Sequence, residues 1–455
     1  MTIRPRVEIP SISVVITNYN GRRFLADCLD SVLSQTLKPV EVFVVDNASS
    51  DGSAEFLKSV YGACLINPPS PPFAKGGKLG GGLSKRGDVR AGLSQKGDAG
   101  GIISKGGDAG RAVSKGGDSG ESSAKGVSLL PSDRNVLLPP FSKGGEGGFP
   151  AHTQPEIKLI SMGYNAGFAR ATNAGIRESS GEFIALLNND AVADSGWLER
   201  LTRPMLESEE IGFCASKMLF LWDKTRVNNA GIGITDYGLP YDRGFYCSDG
   251  PEYAGDRLVF GACGGAAMFR RKMLERTGLF DEDFFLCYDD ADLSFRAQLM
   301  GYKCMYGAGA VVYHAGGATV PYHGRTARFY SCRHFIRVVA RNMPGPILRQ
   351  RLPAIAWFCV KNSLRSAIQN RDLTNLRGYA AGFASLCRRF GQRAETQQAR
   401  TVTVGYIRSL MVSKAQMLRE TSAPFEKKAK GEGDKAKGKR KNEEKESPPT
   451  RVADS

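Results

Sequence analysis

Two short stretches of this chain gather side chains able to do chemistry. One is Asn188-Asn189-Asp190, which ends the apolar run Phe183 to Leu187 on two amides and a carboxylate instead of glycine or proline. Asp190, with the Asn188 amide two residues earlier, offers oxygen ligands suited to a hard divalent cation, and such a cation can bridge a diphosphate. The same residue types also make an ordinary Asx turn. The other stretch, FDEDFFLCYDDADLSFRAQLMG (Phe280–Gly301), crowds acids between Asp281 and Asp292. One or two carboxylates at a helix start cap its free amides and complement its dipole. The rest need another cause. Like charges this close raise one another's pKa and suit a neighbouring cation or substrate hydroxyls, the setting of a general base for an alcohol. His314 ends the further apolar run of AVVYHAGG; a lone histidine is commonly structural, but this one can complete a metal site.

The elements that must position these groups are legible from periodicity. SISVVITNYNG (Ser11–Gly21) is a buried strand broken at Asn/Gly, and Arg22 to Gln35 then carries Phe24, Leu25, Cys28, Leu29, Val32 and Leu33 at helical spacing. VEVFVVDNASSDGS (Val40–Ser53) repeats the plan, with a polar stop at Asp46-Asn47 and a helix opening near Ser53. Further on, Ile157–Ile160 supply a strand and Gly167–Ile176 a helix. Alternating strands and helices imply an α/β fold with a parallel sheet. In such a sheet ligands sit beyond the carboxyl ends of the strands, where Thr17–Asn20, Asp46-Asn47 and Asn188–Asp190 all fall. After the acids, Leu293, Phe295, Ala297 and Leu299 form a helix closed by Gly301, with Asp289, Asp290 and Asp292 in its first turn.

Residues 67–155 interrupt this plan with glycine, serine, lysine and proline. Within them a ten-residue unit recurs, as in LSKRGDVRAG at Leu83 and ISKGGDAGRA at Ile103; one aliphatic residue per unit is too little to stack a solenoid, so the segment reads as a disordered insertion. Its Arg86-Gly87-Asp88 tripeptide reads as coincidence, and no Gly-Lys is followed by Ser or Thr, which excludes a P-loop. Residues 325–422 are basic with helical periodicity. Trp357, in AIAWFCV between Arg349, Arg351, Lys361 and Arg365, suits either an interfacial helix on anionic lipid or a packing helix of a helical subdomain. Residues 423–455 read as a charged, disordered tail. The net charge of +16 favours polyanionic partners, yet the folded part lacks the interleaved aromatic and basic motif of nucleic-acid binders. The 10 cysteines show neither Cys-x-x-Cys pairs nor zinc spacing, which points to a reduced cytoplasmic setting, and no segment has the ~20 apolar residues of a membrane span.

In order along the chain, VVITNYNG, VVDNASSDGS, NAGFARATNAGI, LLNND, GACGGAAMFRR, GLFDEDFFLCYDDADLSFRAQLMGY and AVVYHAGG resemble family 2 glycosyltransferases of the GT-A fold, especially their rhamnosyltransferase-like branch. The likeness covers Ser11 to about Gly317 apart from the insertion, so the catalytic domain is expected over 10–66 and 156–320. It implies an inverting, nucleotide-sugar-dependent hexosyltransferase acting with Mg²⁺ or Mn²⁺ on a dTDP- or UDP-sugar and a glycan or lipid-linked acceptor. By the same resemblance, Thr17, Asn20 and Asp46 line the nucleotide, while Asn165, Gly167 and Asn173 close over the donor. Asp190 is the last acid of the Asp-x-Asp metal motif, with Asn188 in place of the first, and His314 is a further metal ligand. Asp290 is the base, with Asp289 where glutamate is usual, and Gly261–Ala266 with Trp197 lie toward the acceptor. A cytoplasmic enzyme resting on the inner leaflet fits this picture.

Two rivals remain. A nucleotidyltransferase needs a Gly-rich basic loop after its first strand, which TNYNG is not. A GT-A-fold scaffold that has lost catalysis predicts loss of the metal and base residues, whereas Asp190, Asp290 and His314 are present.

Overall fold

A computed structural model describes residues 10–66, 155–317, 321–322, 324–369, 371–386 and 390–421. The repetitive insertion with its Arg-Gly-Asp tripeptide and the charged tail lie outside the described residues. In chain order the first half contains β1 (Ile12–Asn18), α1 (Leu25–Leu33), β2 (Glu41–Asp46), α2 (Ser53–Tyr61), β3 (Cys64–Ile66), β4 (Glu156–Ser161), α3 (Phe168–Glu178), β5 (Phe183–Asn188), β6 (Ala191–Ala193) and α4 (Trp197–Glu207). There follow β7 (Ile211–Phe220), β8 (Val227–Asn229), β9 (Ile232–Thr235), β10 (Pro240–Asp242), β11 (Arg257–Val259), β12 (Ala266–Arg270), α5 (Arg271–Thr277), α6 (Asp289–Leu299) and β13 (Lys303–His314). The last part is mainly helical: α7 (Arg325–Asn342), α8 (Gly345–Gln369), α9 (Thr374–Ala384), α10 (Phe390–Gln398), α11 (Val404–Leu410), the two-residue strand β14 (Met411–Val412) and α12 (Lys414–Glu420).

The main sheet runs β11-β13-β7-β12-β5-β1-β2-β4-β3. The pairs β5-β1, β1-β2, β2-β4, β4-β3 and β7-β13 are parallel, and β12 runs antiparallel between β5 and β7. Every residue of β2 is buried and nearly all of β1 and β5, as a sheet covered on both faces requires. One core, with Leu25, Leu29, Trp197 and Leu201, fills the face under α1 and α4; the other, with Ala169, Ile176, Met273 and Leu293, fills the face under α3, α5 and α6. Because β1, β2 and β5 lie side by side and point the same way, Thr17, Asp46 and Asn188 end at one rim. β3 is a short edge strand that periodicity did not reveal, since its three residues are too few to show a period, and Cys64 and Leu65 are exposed.

A third core joins the C-terminal helices to this sheet. Phe295 and Leu299 of α6 pack with Phe335 and Val339 of α7, Ile355 of α8, Tyr379 of α9 and Ile407 of α11. Each large apolar side chain buried here is worth roughly 1.5–3 kcal/mol, so α7, α8, α9 and α11 share one stabilising core with the helix that carries Asp289 and Asp290. β14 adds in parallel to β9, whose other neighbour is β10, and closes a small three-stranded sheet. Among the described residues no helix is long and apolar enough to cross a membrane, and the cysteines are unpaired.

Candidate active site

The strand ends at the rim are tied together by amides. Asn18, buried at the end of β1, donates from Nδ2 to Asp46 Oδ1 (2.9 Å) and accepts at Oδ1 from Asn189 Nδ2 (2.7 Å). Asp46 Oδ2 also accepts the Ser49 amide at 3.1 Å, so its carboxylate shapes the turn after β2. Asn20, exposed and in the left-handed region (φ 51°), donates its amide to Ser49 Oγ and accepts the Ser50 amide at 2.8 Å. Thr17 Oγ1 lies 3.1 Å from Thr172 Oγ1 of α3. Asn47 donates to Asn165 Oδ1 at 3.0 Å and accepts the Ala166 amide at 2.7 Å, fixing the turn before α3. Asn18, Asn47 and Asn189 connect this rim although no motif singled them out individually; their signal was that all three occur where a strand stops.

Gly167 requires its glycine. Its φ is 81°, and a Cβ there would sit 2.6 Å from the Phe285 carbonyl oxygen, which accepts the Phe168 amide at 3.1 Å. Asn173 is buried and spends both ends of its amide on Phe280, donating to its carbonyl at 2.8 Å and accepting its N–H at 3.1 Å. It reaches the site through the acidic loop.

At the end of β5 the Asn188 Nδ2 lies 3.3 Å and Asp190 Oδ1 3.1 Å from His314 Nε2. Asn228 orients the ring: its Nδ2 donates to Tyr322 Oη, so its Oδ1 accepts from His314 Nδ1 at 3.0 Å. With the proton on Nδ1, the Nε2 lone pair faces a carboxylate oxygen, an electron-rich pair that a proton or a cation must neutralise. Among the described residues no three His, Cys, Asp or Glu side chains gather as a metal cage. Two protein ligands with the remaining positions open fit a cation completed by phosphate oxygens and water, as Mg²⁺ sites commonly are.

Asp289 and Asp290 open α6 after Cys287 and Tyr288, two consecutive non-glycine residues with positive φ (66° and 64°). Such strain persists only where the surroundings over-determine it. His334 of α7, fully buried, donates from Nδ1 to the carbonyls of Leu286 (2.9 Å) and Cys287 (3.0 Å), and burial pushes its pKa down to about 4, so the ring stays neutral. Asp290, half-buried, accepts the Gly264 amide at Oδ2 (3.0 Å) and the Ala291 amide at Oδ1 (2.8 Å). Desolvation nevertheless holds its pKa above the ordinary carboxylate range, and that of Asp289 well above, the latter also through the Asp290 charge. Asp289 Oδ2 is buried without a hydrogen-bond partner.

The acidic stretch therefore divides. Glu282 pairs with Arg177 at 2.6 Å, Asp281 with Arg341 at 3.1 Å, and Asp292 with Arg296 at 2.9 Å and Arg341 at 3.3 Å. Hydrogen bonds and charge from these arginines hold Glu282 and Asp292 below the usual carboxylate range although burial opposes it. Mutual repulsion along the whole run, the sequence expectation, gives way to arginine pairing at Asp281, Glu282 and Asp292. Trp197 departs from expectation as well: it is fully buried in the sheet core, with Nε1 donating to Ser216 Oγ, and lines no acceptor cleft.

Comparison with known proteins agrees with this geometry in part. The model of glycosyl transferase family 2 matches residues 13–71 and 150–278, less than half of the chain, and ends before Asp289, Asp290 and His314. The O-antigen biosynthesis protein RfbC of Myxococcus xanthus is 28% identical over 36% of this chain and 13% of its own length. The glycosyltransferase GlyA of Streptococcus pneumoniae is 43% identical over 10% of this chain and 7% of its own. The chain thus spans under a fifth of the curated relatives it matches. A mannosyltransferase of Pyrobaculum calidifontis, solved with GDP-Man and Mn²⁺, aligns over 88% of this chain and 86% of its own at 16% identity and TM-score 0.43, a likeness too distant to bear on chemistry.

Proposed function

We propose that this chain, whose mainly parallel α/β unit is a family 2 glycosyl transferase domain of GT-A type, moves a sugar from a nucleoside diphosphate donor to a hydroxyl of a glycan or lipid-linked acceptor, with inversion. The observation that carries this reading is Asp290: a half-buried carboxylate fixed by two backbone amides and without an arginine partner, while Asp281, Glu282 and Asp292 are paired with arginines. A base of this kind takes the acceptor proton as the hydroxyl attacks, typically a 10²–10⁴-fold effect. Attack from the face opposite the departing diphosphate gives inversion. Burial keeps that carboxyl's pKa high enough to receive a proton. The rim of Thr17, Asn20, Asp46 and Asn165 holds the nucleotide, and Gly167 lets the α3 turn pack on the acidic loop. Asp190 and His314, with Asn188 beside them, would hold Mg²⁺ or Mn²⁺, which when bound neutralises the diphosphate.

A dTDP- or UDP-sugar, with rhamnose the favoured sugar, is the donor of this reading. Thermal unfolding against dTDP, UDP, GDP and CDP, each with and without Mn²⁺ or Mg²⁺, tests it, because a ligand bound only by the native state raises the midpoint. A metal-dependent rise with dTDP or UDP is expected. A cooperative melt that no nucleotide moves would leave a scaffold that keeps the fold without the chemistry.

The α8 face supports a cytoplasmic enzyme lying on the membrane. Trp357, Val360, Leu364 and Ile368 form one exposed stripe opposite the buried Ile355 and Cys359, with Lys361 and Arg365 along its edge. Residues 325–394 hold 14 Lys/Arg against one acid, Asp372. Such a surface is attracted to anionic headgroups and released by salt. Co-sedimentation with phosphatidylglycerol vesicles at low salt is expected; equal recovery with neutral phosphatidylcholine vesicles would argue against it.

A further inference from the structure

Beside the Asp190–His314 pair the molecule carries an aromatic cluster that the proposed chemistry leaves unused. Phe220 ends β7 in register with His314 on β13. Its ring lies 4.7 Å from Trp222 and 4.7 Å from Tyr246, stacked on the latter at 23°. Phe245, next in the cluster, meets Tyr322 edge-on at 5.4 Å. Phe220 is fully buried, whereas Trp222 is 60% and Tyr322 38% exposed. A bulky ring braced from below with its other face in water is an aromatic surface made to be covered.

The cluster is wired to the site. Tyr322 Oη accepts from Asn228, which in turn fixes His314, so the Tyr322 ring and the imidazole hold their positions through one amide. On the same hairpin as Tyr246, Asp242 ends β10 with Oδ1 accepting from Asn229 Nδ2 at 2.7 Å. Water reaches this carboxylate, yet the protein around it and the charge of Asp290 push its pKa up to about 6.

We infer that Trp222, Tyr246 and Tyr322 form the platform on which a saccharide ring of the acceptor lies, with Asp242 accepting one of its hydroxyls. A pyranose has an apolar C–H face and a polar rim, and this site offers an aromatic face beside a carboxylate. The inference rests on the transferase reading and deepens it by naming the acceptor subsite.

The test uses the full chain labelled with 5-fluorotryptophan and followed by ¹⁹F NMR, where three signals report Trp197, Trp222 and Trp357. Methyl α-L-rhamnoside, methyl β-D-galactoside and methyl N-acetyl-β-D-glucosaminide are titrated, with and without UDP and Mn²⁺. A saturable shift of the Trp222 signal with at least one glycoside is expected, with the buried Trp197 and the remote Trp357 still. Trp222→Ala should weaken binding of that glycoside about tenfold, as loss of a ring contact does, Trp222→Phe should recover part of it, and both should keep the nucleotide-induced rise in midpoint. A Trp222 signal unmoved by every glycoside, or moved only by phosphatidylglycerol vesicles, overturns the platform. Failure of all nucleotides to raise the wild-type midpoint counts against the transferase reading instead, because the glycoside titration stands without nucleotide.

Discussion

Two sets of acids lie within twelve residues of each other and meet opposite fates. Asp281, Glu282 and Asp292 are claimed by arginines; Asp289 and Asp290 are not. The arginines come from α3, α6 and α7, and α7 begins beyond the whole of β13. The paired acids tie the loop and α6 to two surrounding helices. The unpaired two, one turn of helix away, have raised pKa values, and the Asp290 carboxylate is held by backbone amides. The difference teaches that a run of like charge in sequence is two devices in space, an anchor and a tool, and that the partner decides which.

Breaking the tool should give the largest effect. Asp290→Asn is expected to lower sugar transfer about 10³-fold, with the nucleotide-induced midpoint rise unchanged; transfer within a few-fold of wild type would remove Asp290 from the base role. Breaking the anchor should cost stability instead. Asp292→Ala leaves Arg296 and Arg341 facing each other in a dry site, and losing one partner of a buried pair typically costs about 3–5 kcal/mol, read from denaturant unfolding.

A third change sharpens the contrast through pH. The Asp289 carboxyl sits above its unfolded value, so the native state holds more protons and this group's contribution to stability is lost as pH rises from the ordinary carboxylate range. Asp292 and Glu282 sit below theirs, so their contribution is lost as pH falls. Asp289→Asn should therefore raise the melting midpoint at neutral pH by roughly 2–4 °C, the effect of about 1 kcal/mol in a domain of this size, and the gain should vanish toward pH 4. The smallest change lies between anchor and tool. His334→Ala removes the donor to Leu286 and Cys287 and should lower kcat roughly tenfold, a loss of about 1.4 kcal/mol, with nucleotide affinity kept; His334→Asn, which restores an N–H, should recover most of it.

The sheet and its polar rim were legible because β1, β2 and β5 are short apolar runs that each stop on Asn or Asp, and burial on both faces writes that pattern directly into sequence. The Asp190–His314 pair was legible as two strand ends, but Asn228, which fixes the imidazole, gave no signal: nothing in VNNAGIG marks it as facing a histidine 86 residues later. The arginine pairing was hidden for the same reason, since charge composition says how many arginines exist and not which loop they meet. Trp197, placed toward the acceptor by the resemblance alone, is turned inward by helical geometry against Ser216. α8 carries a packing face, with Ile355 and Cys359 buried, as the helical-subdomain expectation required, while Trp357 stays exposed.

The small sheet of β9, β10 and β14 has a practical consequence for anyone trimming the chain. Its third strand arrives from residues 411–412, and the carbonyl of Glu420 accepts the Gly244 amide at 2.8 Å, beside the hairpin that holds Asp242 and Tyr246. A fragment cut where the large sheet ends, near residue 317, would keep every strand that lines the rim yet lose the clasp on that hairpin and the helix that sets the loop before Asp289. The shortest piece worth expressing ends beyond Glu420, however dispensable the helices look on a linear map.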